Sequence, residues 1–482
     1  MQCIHFAKAR TALLLFLVGT SVLVLALLFI SRPAAALPSF AQQLDVPCSQ
    51  CHVQAFGPAL TPFGRLFKLN GYVWSAPNPT FPPLDMMIQG PSYTHTDKGQ
   101  PGGAAEHFAD NNNVTLDQFS LLYGGRTLVP NLGAFIQGTY NGVDRNWALD
   151  NTDIRYANQG TVAGNAVVYG VSLNNNPTVQ DLWNTTPVWS FPPASSLLAP
   201  TPAAATLIDG GLAQQVLGAT IYTMWNDLLY VEAGPYFSLS NDVQGLLGVQ
   251  YQGCNRRHPS FRCRSLSGEG YQGGDHIDNV APYWRVALQR TQNDHNFSIG
   301  TYGFYANIFP EDDRSAGTDQ YTDIGFDTSY QYLGSSEHIF TFNSTFIMEF
   351  QNLSASQALG NADKSYHTLN TFRADASYIF KQTYGLTLGY FQTTGTTDTL
   401  LYQPSPIFGS ASGSPNSRGY IVQLDYIPFG KAGSFLAPWL NVRFSLQYTG
   451  YTEFNGGHSN YDGFGRNASN NNTLYLLSWF AF

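Results

Sequence analysis

Two cysteines and a histidine lie within five consecutive residues near the N-terminus, in Cys48-Ser49-Gln50-Cys51-His52. The chain of 482 residues contains only five cysteines, and two of them are in this segment. Three kinds of site use such a cluster: a redox disulfide, a zinc site and covalently attached haem. C-x-x-C-H is the attachment signature of c-type haem.

The spacing favours haem over the two alternatives. In c-type haem the two thiols form thioethers with the vinyl groups, and the adjacent histidine binds the iron. A redox C-x-x-C normally opens a helix in a thioredoxin-like unit, which the neighbouring sequence does not indicate. A zinc site needs a fourth ligand, usually from a second pair. The sequence therefore predicts one covalent haem on Cys48 and Cys51, with His52 as an axial ligand of the iron.

The pattern "LTPFGRLFKLNGY" predicts a short amphipathic helix directly after the motif, with Thr61 at its N-cap. Its apolar face could cover the haem. The residues of this face are Phe63, Leu66 and Phe67. Arg65 and Lys68 are candidates to bind haem propionates, because charge-assisted hydrogen bonds favour that pairing. The alternative is that both cations face water.

The composition indicates a membrane protein of the β type. Charged residues make up 11% of the chain and aromatic residues 14%. After residue 36 no apolar run is long enough for a spanning helix, so the membrane would be crossed by strands. The net charge of -9 argues against binding to nucleic acid.

Three regions follow from the pattern along the chain. Residues 1–36 combine basic residues, a long apolar segment and "PAAA", which predicts a cleaved signal peptide. An uncleaved membrane anchor is the alternative. Residues 37–83 form the haem-motif segment and a linker, and residues 84–482 form a β-barrel. With fewer than fifty residues, the haem-motif segment can hardly enclose a haem alone, so another part of the chain must complete the pocket.

Alternation of apolar and polar residues predicts a transmembrane antiparallel barrel of about sixteen strands. Short links on the side of the N-terminus and long links on the other side fit an outer-membrane barrel with both termini in the periplasm. The predicted strands lie near 84–95, 115–128, 131–142, 146–158, 165–176, 214–225, 227–239, 280–291, 295–308, 319–333, 338–352, 366–380, 384–397, 417–428, 439–453 and 471–482.

Together these features resemble the outer-membrane monohaem cytochrome–porin fusions that oxidise extracellular iron(II). The resemblance covers the whole mature chain. It rests on "PSFAQQLDVPCSQCH", "LTPFGRLFKLNGY" and the barrel pattern, which ends on Phe482. It implies that Cys48 and Cys51 carry haem c, that His52 is an axial ligand, and that the small cytochrome segment lies within the barrel.

The resemblance also implies a function. The chain would act as an iron(II):cytochrome c oxidoreductase, or be counted as an electron carrier, in the outer membrane of a Gram-negative bacterium. Extracellular Fe(II) would donate the electron, and a soluble periplasmic carrier, a cytochrome or a copper protein, would receive it. No catalytic acid, base or nucleophile is needed. Two alternatives stay open: a haem-bearing porin or transporter, and an electron conduit for another donor or acceptor.

The sixth ligand of the iron is not fixed by the motif. Met86, Met87 and His95, on or near the first strand, are the candidates. Methionine would raise the reduction potential. The alternative for the two methionines is packing, and because neighbours on a strand face opposite sides, one of them must face lipid.

Three further features concern the barrel. Cys254 and Cys263 are predicted to form a disulfide in an outer loop, because the chain is exported. Two acidic outer-loop stretches, "PEDD" at 310–313 and "GGDHID" at 273–278, could attract a hard cation, although solvated loop charge is the simpler interpretation. Polar lumen residues are predicted to hydrogen-bond the haem-motif segment; these are Asp323, Asp327, Arg373, Asp375 and Arg443.

Overall fold

The computed structural model describes residues 39–77, 79, 81–184, 195–248, 275–335, 337–435 and 439–482. The predicted signal peptide and the predicted Cys254–Cys263 disulfide lie outside these residues. No helix in the described ranges is long and apolar enough to cross a membrane.

Antiparallel strands dominate the described chain. Their bounds are β1 Leu84–Thr96, β2 Asn113–Thr115, β3 Gln118–Arg126, β4 Leu132–Asn141, β5 Asn146–Val162, β6 Asn165–Asn174, β7 Val216–Trp225, β8 Leu229–Ser238, β9 His276–Ile277, β10 Ala281–Gln292, β11 His295–Phe309, β12 Asp319–Tyr332, β13 His338–Asn352, β14 Tyr366–Phe380, β15 Tyr384–Gly395, β16 Ser417–Tyr426, β17 Asn441–Glu453 and β18 Thr473–Ala481.

Sixteen of these strands close into a barrel, and the short β2 and β9 add to its rim. Neighbours in sequence pair antiparallel, and β1 closes the circle by pairing with β3 on one side and β18 on the other. Every predicted strand is present, with ends shifted by a few residues at most. The predicted sixteen-stranded barrel is confirmed.

The alternation along each strand separates a lipid face from a lumen face. On β13, Phe350 is 48% exposed, whereas its neighbour Glu349 is 1% exposed. Such exposed apolar side chains occur on many strands, as expected where lipid replaces water. A closed barrel leaves no unpaired strand edge, and with an apolar outer surface it is an outer-membrane architecture.

Part of a long outer link occupies the lumen. The long outer link between β6 and β7 turns inward, and its Leu182 and Trp183 are buried. Trp183 Nε1 donates a 3.2 Å hydrogen bond to Gln289 Oε1 on β10. Further along the same link, the Ile208 amide donates to Asp323 Oδ2 at 2.8 Å. The sequence predicted a long outer link here but not that it would enter the barrel.

The haem-motif segment contains three short helices: α1 Ser39–Leu44, α2 Cys48–Cys51 and α3 Pro62–Leu69. Helix α3 is the predicted amphipathic helix, and Thr61 Oγ1 caps it by accepting a hydrogen bond from the Gly64 amide. Two further helices, α4 Asn241–Leu246 and α5 Ser354–Ala358, lie in outer loops.

This segment lies inside the barrel at the end with short turns, which outer-membrane barrels direct to the periplasm. Its hydrogen bonds reach wall residues near the periplasmic ends of several strands. They join Tyr72 to Asp153, Arg65 to Gln331, Asn70 to Gln159, Leu69 to Tyr222 and Ala55 to Asn441. The predicted position in the lumen is therefore observed.

The five lumen residues predicted to hold the segment have other partners. Asp327 pairs with Arg285, Arg443 with Asp425, and Arg373 with Asp209 of the inward-turned link. Asp323 accepts from Ile208, and Asp375 from Asn343 at 3.5 Å. The prediction of a polar lumen was right, but these five residues brace the wall and the link instead of the segment.

Candidate functional site

The Cys-x-x-Cys-His motif forms one tight turn whose side chains face a cavity. Helix α2 consists of the four residues Cys48–Cys51, and His52 follows in extended conformation. Cys48 is 4% exposed and Cys51 is 7% exposed, and neither forms a disulfide. Both cysteines and His52 line the cavity.

Helix α3 holds this turn in place by close backbone contact. The Thr61 amide donates to the Cys51 carbonyl oxygen at 2.9 Å, and Thr61 Oγ1 donates to the Gln50 carbonyl oxygen at 2.6 Å. A Cβ at Gly64 would lie 2.4 Å from the Cys51 carbonyl oxygen, so only glycine permits this approach. The glycine-containing helix thus fixes the direction of both thiols.

The cavity lies between the segment and one side of the barrel wall. It encloses about 1510 Å³ of space free of protein atoms, including its open mouth. The wall residues that line it come from β1, β3, β4, β5, β17 and β18. They are Asp85, Met87, Gln89, Gln118, Ser120, Leu122, Phe135, Gln137, Asp153, Asn441, Trp479 and Ala481. The wall therefore completes a pocket that the segment could not form alone.

Aromatic rings give the cavity an apolar, rigid border. Phe40 of α1 stacks on Tyr72 with ring centroids 5.1 Å apart and meets Phe67 of α3 edge to face at 5.2 Å. On the other side Phe56 meets Trp479 of β18 at 5.1 Å. Flat, largely apolar ligands suit such a border.

The electrostatics of the motif suit neutral sulfur and a neutral imidazole. Burial raises the pKa of Cys48 to about 11 and that of Cys51 to about 12. Burial lowers the pKa of His52 to about 4, opposed by the backbone of Gly57. An iron ligand must be the neutral ring, so the state of His52 matches a ligand of haem iron.

Two observations test whether the residues fit a c-type haem. His52 Nδ1 is buried and makes no hydrogen bond of ordinary geometry, although the Gly57 backbone acts on the ring. An imidazole bound to iron through its other nitrogen usually points Nδ1–H toward a backbone carbonyl, and Gly57 offers one. Both thiols also face the cavity beside this ring. The residues fit the group.

A zinc site finds less support in this geometry. Within the part of the chain that the structure describes, no three or more His, Cys, Asp or Glu side chains cluster as metal ligands.

Two of the four side chains predicted to surround the haem line the cavity, and two do not. Phe67 and Lys68 line the cavity. Phe63 packs on Trp74 instead, with ring centroids 5.9 Å apart. Arg65 Nη1 donates to the Gln331 side chain and to the Leu60 carbonyl oxygen, both at 3.1 Å, so its cation anchors the segment to β12. Phe63 and Arg65 are not among the residues that line the cavity.

Lys68 lines the cavity, but its ammonium group already has partners. Nζ donates to the Val179 and Asp181 carbonyl oxygens at 2.8 and 2.9 Å, which ties α3 to the inward-turned link. Burial lowers the pKa of Lys68 to about 8 and that of Arg65 to about 10. Both cations therefore hold the segment in place through protein contacts.

The three candidates for the sixth ligand separate along β1. Met87 lines the cavity. Met86 faces the other way and packs on Val442 and Phe480. His95 lies eight residues beyond Met87, about 26 Å along the strand, and its Nδ1 contacts Asn112 Oδ1 at 2.9 Å.

Several wall residues of the cavity were not predicted from the sequence. Asp85 accepts hydrogen bonds from the Ser39 amide and hydroxyl and so holds α1 to β1. Trp479 and Asn441 come from the last two strands. Asp85 is two residues from Met87 and four from Gln89, so it lies on the same face of β1 and could have been predicted as a cavity residue. Trp479 and Asn441 could not have been predicted in this way.

The two acidic stretches converge at the outer rim. The Glu311 amide donates to Asp275 Oδ1 at 3.1 Å, and His276 Nδ1 lies 4.0 Å from Asp312 Oδ1. The described residues there form no cluster suited to a metal ion. The two stretches are far apart in sequence but lie next to each other in the fold, where they form one acidic region.

Comparison with known proteins gives a barrel likeness and no family. No family model and no curated protein matches the sequence. Solved structures similar to this chain include an anion-selective porin from Comamonas acidovorans, with 12% identity, a TM-score of 0.40, and coverage of 83% of this chain and 98% of that chain. The outer membrane channel DcaP of Acinetobacter baumannii has 9% identity, a TM-score of 0.40, and coverage of 83% and 96%. Salmonella typhi OmpF in complex with daunomycin has 10% identity, a TM-score of 0.39, and coverage of 83% and 97%. Because these identities and TM-scores are low, the fold is assigned from the strand pairing of this chain itself.

Proposed function

We propose that the protein is an electron-transfer cytochrome of the outer membrane that oxidises extracellular Fe(II). The observation that carries this proposal is the position of Cys48, Cys51 and His52, which face one cavity inside a closed barrel. A c-type haem bound there would supply one-electron chemistry. The chain would act as an iron(II):cytochrome c oxidoreductase.

The residues around the motif would hold the group and keep water away. The two cysteine sulfurs would fix its position, and His52 would supply a nitrogen ligand for the iron. Phe40, Phe67 and the wall of the barrel would cover the group and limit its contact with water. Low polarity around the iron favours the less charged Fe(II) state and raises the reduction potential.

The haem-motif segment and the inward-turned link both occupy the lumen, which supports transfer of electrons rather than passage of iron. The segment occupies the periplasmic end, and Leu182 and Trp183 of the inward-turned link pack in one buried cluster with its Leu69. Fe(III), the product, precipitates readily, so an electron route across the membrane keeps the metal outside. The acidic region around Asp275 and Asp312 at the outer rim would attract the cation by its charge.

The periplasmic side offers a place for the electron acceptor. Gln50, within the motif, is exposed, while the cysteines on either side of it point inward. A soluble cytochrome or copper protein could therefore contact the motif itself from this side. Contact with lipid is confined to the outer face of the strands.

A haem-bearing porin or transporter is the second candidate, because the barrel itself is of the porin type. Stopped-flow mixing separates the two. We expect Fe(II) to reduce the oxidised, purified holoprotein rapidly and in proportion to its haem. A haem that Fe(II) leaves oxidised, together with ion conductance in planar bilayers, would favour the porin. Rapid reduction by other donors but not by Fe(II) would indicate a conduit for a different substrate.

A further inference from the structure

We propose that Met87, on the barrel wall, is the second axial ligand of the haem iron. This inference rests on the proposed function, because it presupposes haem on Cys48 and Cys51. It assigns to the barrel a direct bond to the cofactor instead of a passive enclosing role.

The haem-motif segment cannot supply this ligand by itself. Residues 37–83 contain His52 as their only histidine and no methionine. The cysteines would be consumed by the thioethers. A histidine or methionine as the second axial ligand must therefore come from another part of the protein.

The register of β1 directs Met87 into the cavity. Asp85, Met87 and Gln89 alternate along the strand and all line the cavity. Met87 lies opposite Ser120 on β3 and opposite Ala481 on β18, and both of these line the cavity too. A sulfur at this position enters the site from the wall that faces the motif.

The surroundings of Met87 bring it close to the loop that carries His52. Met87 packs against a buried cluster containing Ala55, Phe56 and Trp479. Ala55 and Phe56 follow His52 by three and four residues. The Met87 thioether is therefore half-buried in an apolar setting next to the motif.

The other potential iron ligands that line the cavity already form hydrogen bonds within the protein. Lys68 Nζ donates to two backbone carbonyl oxygens of the inward-turned link. Asp85 accepts two hydrogen bonds from Ser39. Met87 is the remaining cavity-lining side chain with a soft donor atom that iron in c-type cytochromes accepts.

Adjacent methionines allow a matched experiment on the full-length holoprotein. Met87→Leu and Met86→Leu remove the same atom from opposite faces of β1. We expect ferric wild-type protein and Met86→Leu to show the far-red charge-transfer band of sulfur-bound haem. Met87→Leu should lose this band and should have a lower reduction potential. Met87→His should restore a six-coordinate, low-spin spectrum without the sulfur band.

Two controls keep the outcomes separate. Haem staining of the denatured protein reports attachment, and the heat-dependent gel shift of a folded barrel reports folding. If haem is attached and the barrel folds, but the band is absent from wild type or persists in Met87→Leu, the ligand assignment is wrong and the proposed function stands. If wild type carries no haem, both fail.

Discussion

Tyr72 donates a hydrogen bond of 2.6 Å from its hydroxyl to Asp153 Oδ2, which joins the end of the haem-motif segment to strand β5. Asp153 also accepts from Arg155 Nε and from Ser172 Oγ, both at 2.8 Å. One buried carboxylate thus ties the segment to two strands of the wall. The contact indicates that segment and barrel are stabilised together.

Replacement of this hydroxyl should loosen the segment. In Tyr72→Phe, Asp153 keeps two donors, so we expect a loss of about 1 kcal/mol. The temperature at which the haem absorption spectrum changes should fall. Tyr123→Phe is the control, since that hydroxyl donates to the Arg126 carbonyl oxygen on the barrel surface. Equal melting of both variants would contradict a role for the Asp153 contact.

Removal of the two motif thiols should abolish haem attachment. Cys48→Ala with Cys51→Ala should eliminate haem staining of the denatured protein, because no thioether can form. The matched control replaces Cys254 and Cys263, which should leave the staining intact. Staining that survives in the first double variant would refute covalent attachment at the motif.

The segment should not function when separated from its barrel. Residues 37–83 with attached haem should lose the spectrum and the potential of the full-length protein, because strands β1, β3 and β18 supply much of the cavity wall. The same residues should resist protease in the intact protein. A separate segment with an unchanged spectrum would show that the lumen is not needed.

The contact at Gly64 should be sensitive to one added carbon. Gly64→Ala places a Cβ 2.4 Å from the Cys51 carbonyl oxygen, so α3 must move away from the motif. We expect a cost of about 1–3 kcal/mol and a reduced haem content per protein. Gly245→Ala, where nothing lies within 4 Å, is the matched control in α4. Unchanged haem content in Gly64→Ala would contradict the proposed positioning role.

The outer rim should become more stable as the pH falls. Burial raises the pKa of Asp275 to about 6 from an ordinary value of 3.8, and the Asp319 and Glu311 carboxylates add to this. The folded rim therefore binds the proton more tightly than the unfolded chain. The ionised Asp275 carboxylate destabilises the folded rim fully above about pH 6. This destabilisation decreases as the pH falls toward 4 and the carboxylate takes up a proton.

Limited proteolysis across this pH range measures the effect. Cleavage near residue 275 should slow at the lower pH once the intrinsic pH dependence of the protease is subtracted. Asp275→Asn should abolish the difference, whereas Asp278→Asn should keep it. A pH response that is the same in wild type and Asp275→Asn would exclude Asp275 as its source.

The strands could be predicted because their signal is local. Alternation fixes each strand and its two faces from about ten residues, and the covalent motif is recognisable from five. The choice between Met86 and Met87 was also available in principle. Asp85 and Gln89 are polar, share parity with Met87 and mark the lumen face of β1.

Contacts between the segment and the wall could not be predicted in the same way. Arg65 turns to Gln331, and Lys68 to the inward-turned link, because of how α3 docks among distant strands. The inward turn of that link is itself a tertiary choice, made by Asp323 and Gln289 far along the chain. No local pattern in either partner encodes such pairings.

The pairing of β1 with β18 sets an order of events during biogenesis. Met87 lies opposite Ala481 and Gln89 opposite Trp479, so the seam that closes the barrel runs through the wall of the cavity. The thiols beneath it are almost inaccessible afterwards. If haem is attached at this motif, as we propose, we expect attachment to precede the pairing of the C-terminal strand with β1, so that the assembly apparatus would receive a chain that already carries its cofactor.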